Sequence, residues 1–239
     1  MGKPSPQPAR RGPGRLPIGS PKLDRERIVA CGLELARSIP LQDLSIVRVA
    51  HELKVTPALI HYHVEGREVL TSAIVKRFMR EMVEAWPAPS GEWQADLKAV
   101  ARTMYRQFLA YPGMSAFFAV RNRFDVFTSA LEKDDERALF EFLDLYFGAF
   151  RAAGLDAERT ASYAIVLLQF IHSSAHHTSS RHWPVEQKRL RAHLDRLEHK
   201  GFANIGFLRD SYLRVTGDDA FDAGLRLIVD GLAAEPRNT

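Results

Sequence analysis

The chain has 239 residues, of which 46% are hydrophobic and 26% charged, and a formal net charge of +4, so a sizeable core in one or two domains is possible. It contains no run of about 18 apolar residues and no apolar secretory segment at its N-terminus, so we expect neither a membrane span nor a signal peptide. Its single cysteine, Cys31, excludes an internal disulfide and is expected to be a buried small hydrophobic residue rather than a redox sensor. These features predict a cytoplasmic protein.

The positive charge is concentrated near the N-terminus. Residues 1–76 contain 12 Lys/Arg and 7 Asp/Glu, giving +5, whereas the remainder contains 21 and 22, giving −1. A basic surface of this kind fits a phosphate backbone, although an ordinary solvated surface can have the same composition.

Residues 1–23 are rich in proline, glycine and arginine and contain no acidic residue, so we expect them to be a disordered basic arm. Arg10, Arg11 and Arg15 lie in a thin Gly-Pro segment that suits an A·T-rich minor groove. A solvated tail without contacts is an equally good interpretation.

A helix is predicted over about residues 24–38, and the stretch after it has the pattern of two short helices joined by a tight turn. In SIVRVAHELKVTPALIHYHV, residues 45–64, apolar residues recur at i, i+3, i+4 and i+7 from Ile46 to Leu53. Thr56 is an N-cap candidate and Pro57 occupies the first helical position, where its missing N–H costs nothing. This pattern predicts a helix-turn-helix whose second helix enters the major groove. Any helical hairpin in an all-α core is the alternative.

Residues 24–78 resemble the DNA-binding domain of the TetR family of transcriptional regulators. The matching segments are RIVACGLELA, DLSIVRVAHELKVTPALIHYHV and GREVLTSAIVKRF. The family's hydroxyl residue, Leu-x-Val turn, aromatic-His end and basic residue correspond here to Ser45, Leu53-Lys54-Val55, Tyr62-His63 and Arg67. Lys54 replaces the usual turn glycine, so it must adopt positive φ or the turn must differ. Leu59 and His61 replace the usual Thr and Tyr, and Ile39-Pro40 replaces a Gly after the first helix.

The resemblance implies two kinds of DNA contact. Ser45, Arg48 and Arg67 are expected to position the phosphate backbone. The residues expected at or beside the bases are Thr56, Pro57, Ala58, Leu59, His61, Tyr62 and His63.

The rest of the chain also has helical patterns, and no strand pattern or internal repeat is evident. Predicted helices cover about residues 67–86, a segment capped by Ser90 that ends at Tyr111-Pro112-Gly113, a short piece with Met114, and residues 128–153, 157–177, 185–200 and 218–233. The helix over 157–177 is apolar around most of its circumference, which predicts burial on all sides and a second subunit as its cover.

The resemblance assigns a dimer interface to the helices over 157–177 and 218–233. Its expected residues are Ile165, Leu168, Phe221, Leu225, Ile228 and Leu232. A homodimer is also what recognition of a palindromic operator in double-stranded DNA requires, with half-sites about 34–36 Å apart.

The resemblance further implies an effector pocket inside the C-terminal helices. Suitable lining residues, mostly apolar with a few polar groups, are Met82, Trp86, Met104, Phe108, Phe117, Phe118, Tyr146, Gln169 and His172. The same composition describes a plain packed core. The effector is expected to be small and apolar, with aromatic or polycyclic character.

The predicted fold class is all-α, with an N-terminal three-helix helix-turn-helix DNA-binding domain (24–70) and a larger helical effector-binding and dimerisation domain (71–239). The predicted function is a ligand-responsive repressor, without enzyme activity, cofactor or metal. A constitutive DNA-binding regulator is one alternative. A metal-dependent enzyme is the other, because His172 and His176 are four residues apart, with His177 and His182 close by. No nucleophile–base set or glycine-rich phosphate loop accompanies them.

Overall fold

The structure is a computed structural model that describes residues 23–121, 137–179, 183–194 and 202–236. In these residues it consists of eleven α-helices and one turn of 3-10 helix, without a strand, which confirms the all-α prediction. The helices are α1 (Arg25–Leu35), α2 (Ile46–Leu53), α3 (Pro57–Val64), α4 (Arg67–Glu84), α5 (Trp93–Ala110), α6 (Pro112–Ala119), α7 (Arg137–Arg151), α8 (Ala157–Thr178), α9 (Trp183–Leu194), α10 (Ala203–Tyr212) and α11 (Gly217–Ala234), and the 3-10 turn is Leu41–Asp43.

Helices α1 to α3 form a small N-terminal unit against the first half of α4. Asp24 caps α1 by accepting a hydrogen bond from the Arg27 amide at 2.8 Å. Gly32 lets α1 approach α4 closely, since a Cβ there would lie 2.4 Å from the Ile74 Cδ1. The apolar stripe predicted for α2 faces this core, with Ile46, Val49 and Ala50 buried.

The larger unit packs α5, α6, α7 and α11 around α8, and α7 and α5 also contact α4. Its core is strongly aromatic: Phe78 of α4 contacts the rings of Phe108 and Phe118, at centroid distances of 5.1 and 6.2 Å. Helices α8 and α11 approach each other at Gly224, where a Cβ would lie 2.4 Å from the Phe170 ring. One continuous core therefore joins the two units through α4.

Several predicted boundaries need correction. Helix α4 ends at Glu84 rather than near residue 86. Ser90 does not cap α5; instead, the Asp96 carboxylate accepts hydrogen bonds from the Ser90 and Gly91 amides, at 2.7 and 3.2 Å. Helix α10 was not predicted. The predicted arm over residues 1–22, residues 128–136 and residues 195–200 lie outside the described part of the chain.

Two further observations concern the predicted character of the chain. Cys31 is half-buried rather than buried, and its burial raises the pKa of its thiol, so it is mainly protonated at neutral pH. None of the described helices has the length and hydrophobicity needed to cross a membrane.

Candidate nucleic-acid interface and effector site

The helix-turn-helix has the local structure that its residue types predict. Ser45 caps α2 by accepting a hydrogen bond from the Arg48 amide at 3.1 Å, and Thr56 accepts one from the Leu59 amide at 3.4 Å. Pro57 is the first residue of α3. Lys54 adopts the left-handed conformation, with φ 57° and ψ 42°, so the turn keeps the geometry that glycine usually provides.

Helix α3 is fixed to the core along one side and presents the other to solvent. Ile60 and Val64 are buried at 0% and 1% exposure, which sets the rotation of the helix about its axis. Tyr62 on the opposite side is 81% exposed, and its ring meets that of His63 edge-on at 5.3 Å. Of the predicted base-contact residues, the exposed ones are Thr56, Pro57, Ala58, His61 and Tyr62, and the half-buried ones are Leu59 and His63.

The residues predicted to contact phosphate differ in their environment. Arg48 is exposed on α2, while Ser45 is half-buried and engaged as the cap. The Arg67 side chain donates from Nε to the Leu44 carbonyl at 3.2 Å and from Nη2 to the Gln42 carbonyl. Arg67 therefore ties the start of α4 to the chain before α2, a structural contact that was not predicted. Arg10, Arg11 and Arg15 lie outside the described residues.

Most of the predicted effector-pocket residues meet in the interior of the larger unit. Those buried there are Met82, Met104, Phe108, Phe117, Phe118, Tyr146 and His172. Trp86 is half-buried, with its ring edge-on to that of Phe142 at 6.0 Å. The structure corrects Gln169, which is exposed on the surface of α8 and does not line this interior.

His172 lies within an aromatic cage. Its ring is 4.6 Å from that of Phe108 and 5.1 Å from that of Phe118, between centroids, and within the described residues it makes no hydrogen bond. Burial lowers the pKa of His172 to about 3, because the cage does not solvate an imidazolium ion. The imidazole is therefore neutral at physiological pH and has hydrogen-bonding capacity without charge.

Two cavities lie beside this aromatic interior. One, of about 590 Å³, lies between the 3-10 turn, the start of α4 and the end of α6, and it is lined by residues that include Phe117, Arg67 and Arg121. The other, of about 210 Å³, is lined by residues of α5 and α11 that include Tyr105. A ligand in the predicted pocket would have to separate rings that now touch.

A hydrogen-bonded junction joins the DNA-binding unit to the larger one. The Gly113 amide, in the first turn of α6, donates to the Ala36 carbonyl at the end of α1, at 2.8 Å. The Arg37 guanidinium donates to the Ala110 carbonyl at 3.1 Å and to the Tyr111 hydroxyl at 3.0 Å. The Tyr111 hydroxyl donates in turn to Glu81 at 2.9 Å. Sequence analysis missed this junction because its partners are about 30 to 77 positions apart in the chain.

The residues predicted for a dimer interface divide into two groups. Phe221, Leu225 and Leu232 are buried in the core of this protomer, which corrects their assignment to a surface open to a partner. The half-buried ones are Ile165, Leu168 and Ile228. The exposed side of α11 presents Leu227 instead, at 75% exposure, and that of α8 presents Val166, at 48%.

The histidines do not form a shared metal site in the described structure. His172 is buried, whereas His176 and His177 are exposed. Among the described residues, no group of three His, Cys, Asp or Glu side chains is arranged to hold a metal ion. His182 lies outside them.

Comparison with known proteins extends these observations. The family model described as "Tetracyclin repressor-like, C-terminal domain" matches residues 87–235. The tetracycline repressor protein class G of Vibrio anguillarum is 28% identical over 91 residues, 38% of this chain and 43% of that protein. The HTH-type transcriptional repressor DrrR1 of Streptomyces coeruleorubidus is 30% identical over 101 residues, 41% of this chain and 37% of that protein. The chain thus spans about two fifths of the length of these relatives.

The likeness to solved structures extends over nearly the whole chain. The TetR family protein ActR of Streptomyces coelicolor, in complex with actinorhodin, superposes with a TM-score of 0.68 at 26% identity, covering 89% of this chain and 96% of ActR. The family model alone spans more than half of the 239 residues, and a helix-turn-helix precedes it. The chain therefore belongs to the TetR family of transcriptional regulators.

Proposed function

We propose that this protein is a homodimeric transcriptional repressor that binds a palindromic operator through α3 and leaves it when an apolar effector enters the larger unit. The observation that carries this proposal is the outward side of α3. Its exposed side chains are anchored from behind by Ile60 and Val64, so the helix is presented rigidly.

The chemistry of that side suits base edges in the major groove. Tyr62 and His61 have hydrogen-bonding groups, and both side chains are exposed. Pro57 and Ala58 have small apolar surfaces that can pack on thymine methyl groups. Arg48 supplies positive charge beside the helix for the phosphates.

Dimerisation supplies the second recognition helix. We propose that the dimer face lies on the exposed sides of α8 and α11, with Val166 and Leu227 as its large apolar residues. The exposed surface of α11 also includes the small residues Ala220 and Gly231, at which another helix can approach closely. A two-fold axis there would place two copies of α3 on successive major grooves.

The effector is proposed to enter the aromatic interior around His172. A neutral imidazole among phenylalanine rings favours an aromatic ligand with an uncharged hydroxyl or carbonyl group over a carboxylate, since burial alone, without a charged neighbour among the described residues, sets the state of His172. The complex of ActR with actinorhodin supports a ligand-binding role for this protein as well.

Release from DNA follows from the packing of α6. Phe118 of α6 contacts His172 and Phe108, while the first turn of the same helix is bonded to the end of α1 through Gly113. A ligand that displaces Phe118 therefore moves α6, whose first turn is bonded to the end of α1 in the DNA-binding unit. A coupling of about 1–3 kcal/mol lowers operator affinity roughly 5- to 150-fold.

Substitutions in α3 and at Arg67 test the DNA-binding proposal. We expect Tyr62→Ala to weaken binding to the chain's own promoter DNA by ~1–3 kcal/mol, mainly at one base-pair position. Arg67→Ala should weaken binding to all sequences alike, because its hydrogen bonds to the Leu44 and Gln42 carbonyls hold the start of α4 against the chain before α2, whatever the base sequence. Electrophoretic mobility shifts with a set of single-base operator variants separate the two effects.

The matched control is Arg151→Ala, which removes an exposed arginine of α7. It should leave operator affinity unchanged. Wild-type affinity in Tyr62→Ala for every operator variant would contradict the assignment of α3. If Arg67→Ala changed only the base preference, the assignment of Arg67 to a sequence-independent role and of α3 to base recognition would be wrong.

A constitutive regulator is the second candidate, favoured by the closed packing of the interior in this structure. Actinorhodin is a suitable first probe, because ActR was solved with it. Trp86 reports binding through its fluorescence, since it lies at the edge of the interior beside Phe142. If a compound quenches the fluorescence, the quenching is lost in Trp86→Phe, and the same compound releases the protein from DNA, the result supports an effector-gated repressor. If no compound in a panel of uncharged aromatic compounds causes quenching or release, the result supports a constitutive regulator.

A further inference from the structure

The helix-turn-helix over residues 45–65 has no formal net charge when its histidines are neutral. It contains two cations, Arg48 and Lys54, and two carboxylates, Glu52 and Glu65. The positive excess of the N-terminal part of the chain therefore lies in the segments on either side of it. Binding to a phosphate backbone depends on positive charge at the contact. The element proposed to enter the major groove thus lacks the charge that suits its partner.

Three of the nine histidines of the chain lie in this segment, namely His51, His61 and His63. His51 and His61 are exposed, and His63 is half-buried. Histidine is the residue type whose ordinary pKa, about 6.5, lies close to physiological pH. These residues can therefore supply the segment with positive charge whose amount depends on pH.

The rotation of α3 places His61 and His63 on its two flanks. Ile60 and Val64 mark the buried side, and Tyr62 points away from it. At about 100° per residue, His61 and His63 lie on opposite sides of Tyr62, each about 100° from it. A helix is about 10–12 Å across and the major groove is about 12 Å wide, so the flanks of a docked helix meet the two sugar-phosphate strands. Both imidazoles therefore come within reach of phosphate oxygens.

Neither imidazole is engaged by another polar group in the described structure. The ring of His63 meets that of Tyr62 edge-on, and His61 makes no hydrogen bond or ion pair there. The charged and titratable residues on the elements that pack against α3 are Arg25, Glu26, Arg27, Cys31 and Glu34 of α1, Arg48, His51, Glu52 and Lys54 of α2 and its turn, and Glu65, Arg67 and Glu68 at the start of α4. None of them pairs with either imidazole among the described residues. Glu52 lies toward α1, where its charge helps to raise the pKa of the Cys31 thiol.

The position of the two histidines in α3 also suits a positive charge. His61 and His63 occupy the last turn of the helix. The carbonyl groups that end a helix give it a partial negative charge there, which stabilises a cation.

We propose that operator binding by this protein is coupled to proton uptake at His61 and His63. The inference rests on the proposed DNA-binding function and adds to it a regulation by pH. Each imidazole takes a proton from solvent on its unprotonated ring nitrogen, and both of its N–H groups can then donate to phosphate oxygens. Because the complex favours the protonated form, the affinity for the operator rises as the pH falls.

Titrations of the full chain with its own promoter DNA at pH 6.0 and pH 8.0, at constant ionic strength, test this proposal. If the phosphates favour each imidazolium about threefold, the Kd falls about 2.4-fold per histidine between pH 8.0 and pH 6.0, or roughly 30-fold for the four histidines of a dimer. The variants His61→Gln and His63→Gln keep a polar side chain that does not titrate. Each should reduce the ratio of the two Kd values to about sixfold, and the double variant should reduce it to about one.

The matched control is His51→Gln, which removes an exposed histidine of α2 from the same unit. It should keep the wild-type ratio of the two Kd values, because His51 does not lie on α3. Far-UV circular dichroism at both pH values verifies that every variant is folded. A double variant of His61 and His63 that is folded and keeps the wild-type ratio would overturn the proposal.

Calorimetry gives a readout that does not depend on affinity. Binding heats at pH 7.0 in PIPES and in Tris, two buffers with different heats of ionisation, give the number of protons taken up. We expect about one proton per dimer for the wild type and none for the double variant. Binding by the wild type without proton uptake would show that the histidines stay neutral in the complex.

The outcomes separate proton coupling from the proposed function. Operator binding with equal Kd values at pH 6.0 and pH 8.0 overturns proton coupling alone. Absence of binding to the promoter DNA at every pH overturns the proposed function as well. Each imidazolium at a phosphate releases a counterion, so the salt dependence of the Kd should be steeper at pH 6.0 than at pH 8.0.

Discussion

The imidazole of His172 shows how one residue can make a packed core sensitive to pH. The aromatic cage keeps its pKa at about 3, against an ordinary value of about 6.5. Between these values the unfolded chain binds a proton that the folded chain does not. The free energy of unfolding therefore falls as the pH decreases through this window. It reaches its full value only above about pH 6.5, where the unfolded chain no longer binds this proton.

We expect this single group to account for roughly 2 kcal/mol of lost stability at pH 5 relative to pH 7.5. His172→Phe keeps an aromatic ring in the cage and should remove that part of the pH dependence. Urea unfolding at the two pH values measures it, with His176→Gln, an exposed site on the same helix, as the control. Equal losses in all three proteins would show that His172 is not the responsible group.

At the scale of elements, the contact between α1 and α6 depends on a glycine. A Cβ at Gly113 would lie 2.0 Å from the Ile39 carbonyl oxygen and 2.6 Å from that of Ala36, and both atoms belong to the backbone and cannot turn away. Gly113→Ala should therefore destabilise the protein by about 1–3 kcal/mol. It should also weaken operator binding, because the junction supports the DNA-binding unit.

The matched control for this contact is Gly148→Ala in α7, where an added Cβ meets no neighbouring atom within 4 Å. It should stabilise the protein by about 0.5–1 kcal/mol, the usual gain of alanine over glycine in a helix. Thermal unfolding compares the two. Similar melting temperatures for both variants would mean that α6 can move away from α1 at little cost.

Local signals in the sequence predict most of these elements. The N-cap Thr56 was assigned from its residue type, because capping depends on neighbours within a few positions. Helix α10 was not predicted, and none of its residues is buried in the described structure. The junction at Gly113 was missed because only the folded chain brings α6 to α1.

At the scale of the whole molecule, periodicity in the sequence identifies the apolar side of a helix. It does not show whether the same protomer or a second subunit covers that side. The family resemblance assigned Phe221, Leu225 and Leu232 to a partner, whereas these residues fill the protomer's own core. It also placed Gln169 in the effector pocket, although the rotation of α8 turns this residue to solvent. The exposed side of α3 was easier to predict, because the family motif fixes the rotation of the helix as well as its position; its contacts with DNA stay a prediction.

Recognition of a palindromic operator, as proposed, requires two copies of the chain. The proposal can therefore be tested with a substitution that lies outside the DNA-binding unit. Leu227 is 75% exposed, and Leu227→Glu should leave the protomer folded while placing two like charges in the proposed α8–α11 face. We expect the dimer Kd to rise at least 100-fold and binding to the full palindrome to fall to the level of a single half-site, with α3 unaltered.

Ala233→Glu is the control for this change, because it adds the same charge on another exposed side of α11. Analytical ultracentrifugation and mobility shifts on full and half operators should show wild-type behaviour for it. If Leu227→Glu remained dimeric and bound the full operator as the wild type does, the two-fold axis would have to lie elsewhere on the molecule. A monomeric Leu227→Glu that still bound the palindrome tightly would show that a single recognition helix is sufficient, contrary to the symmetric mechanism.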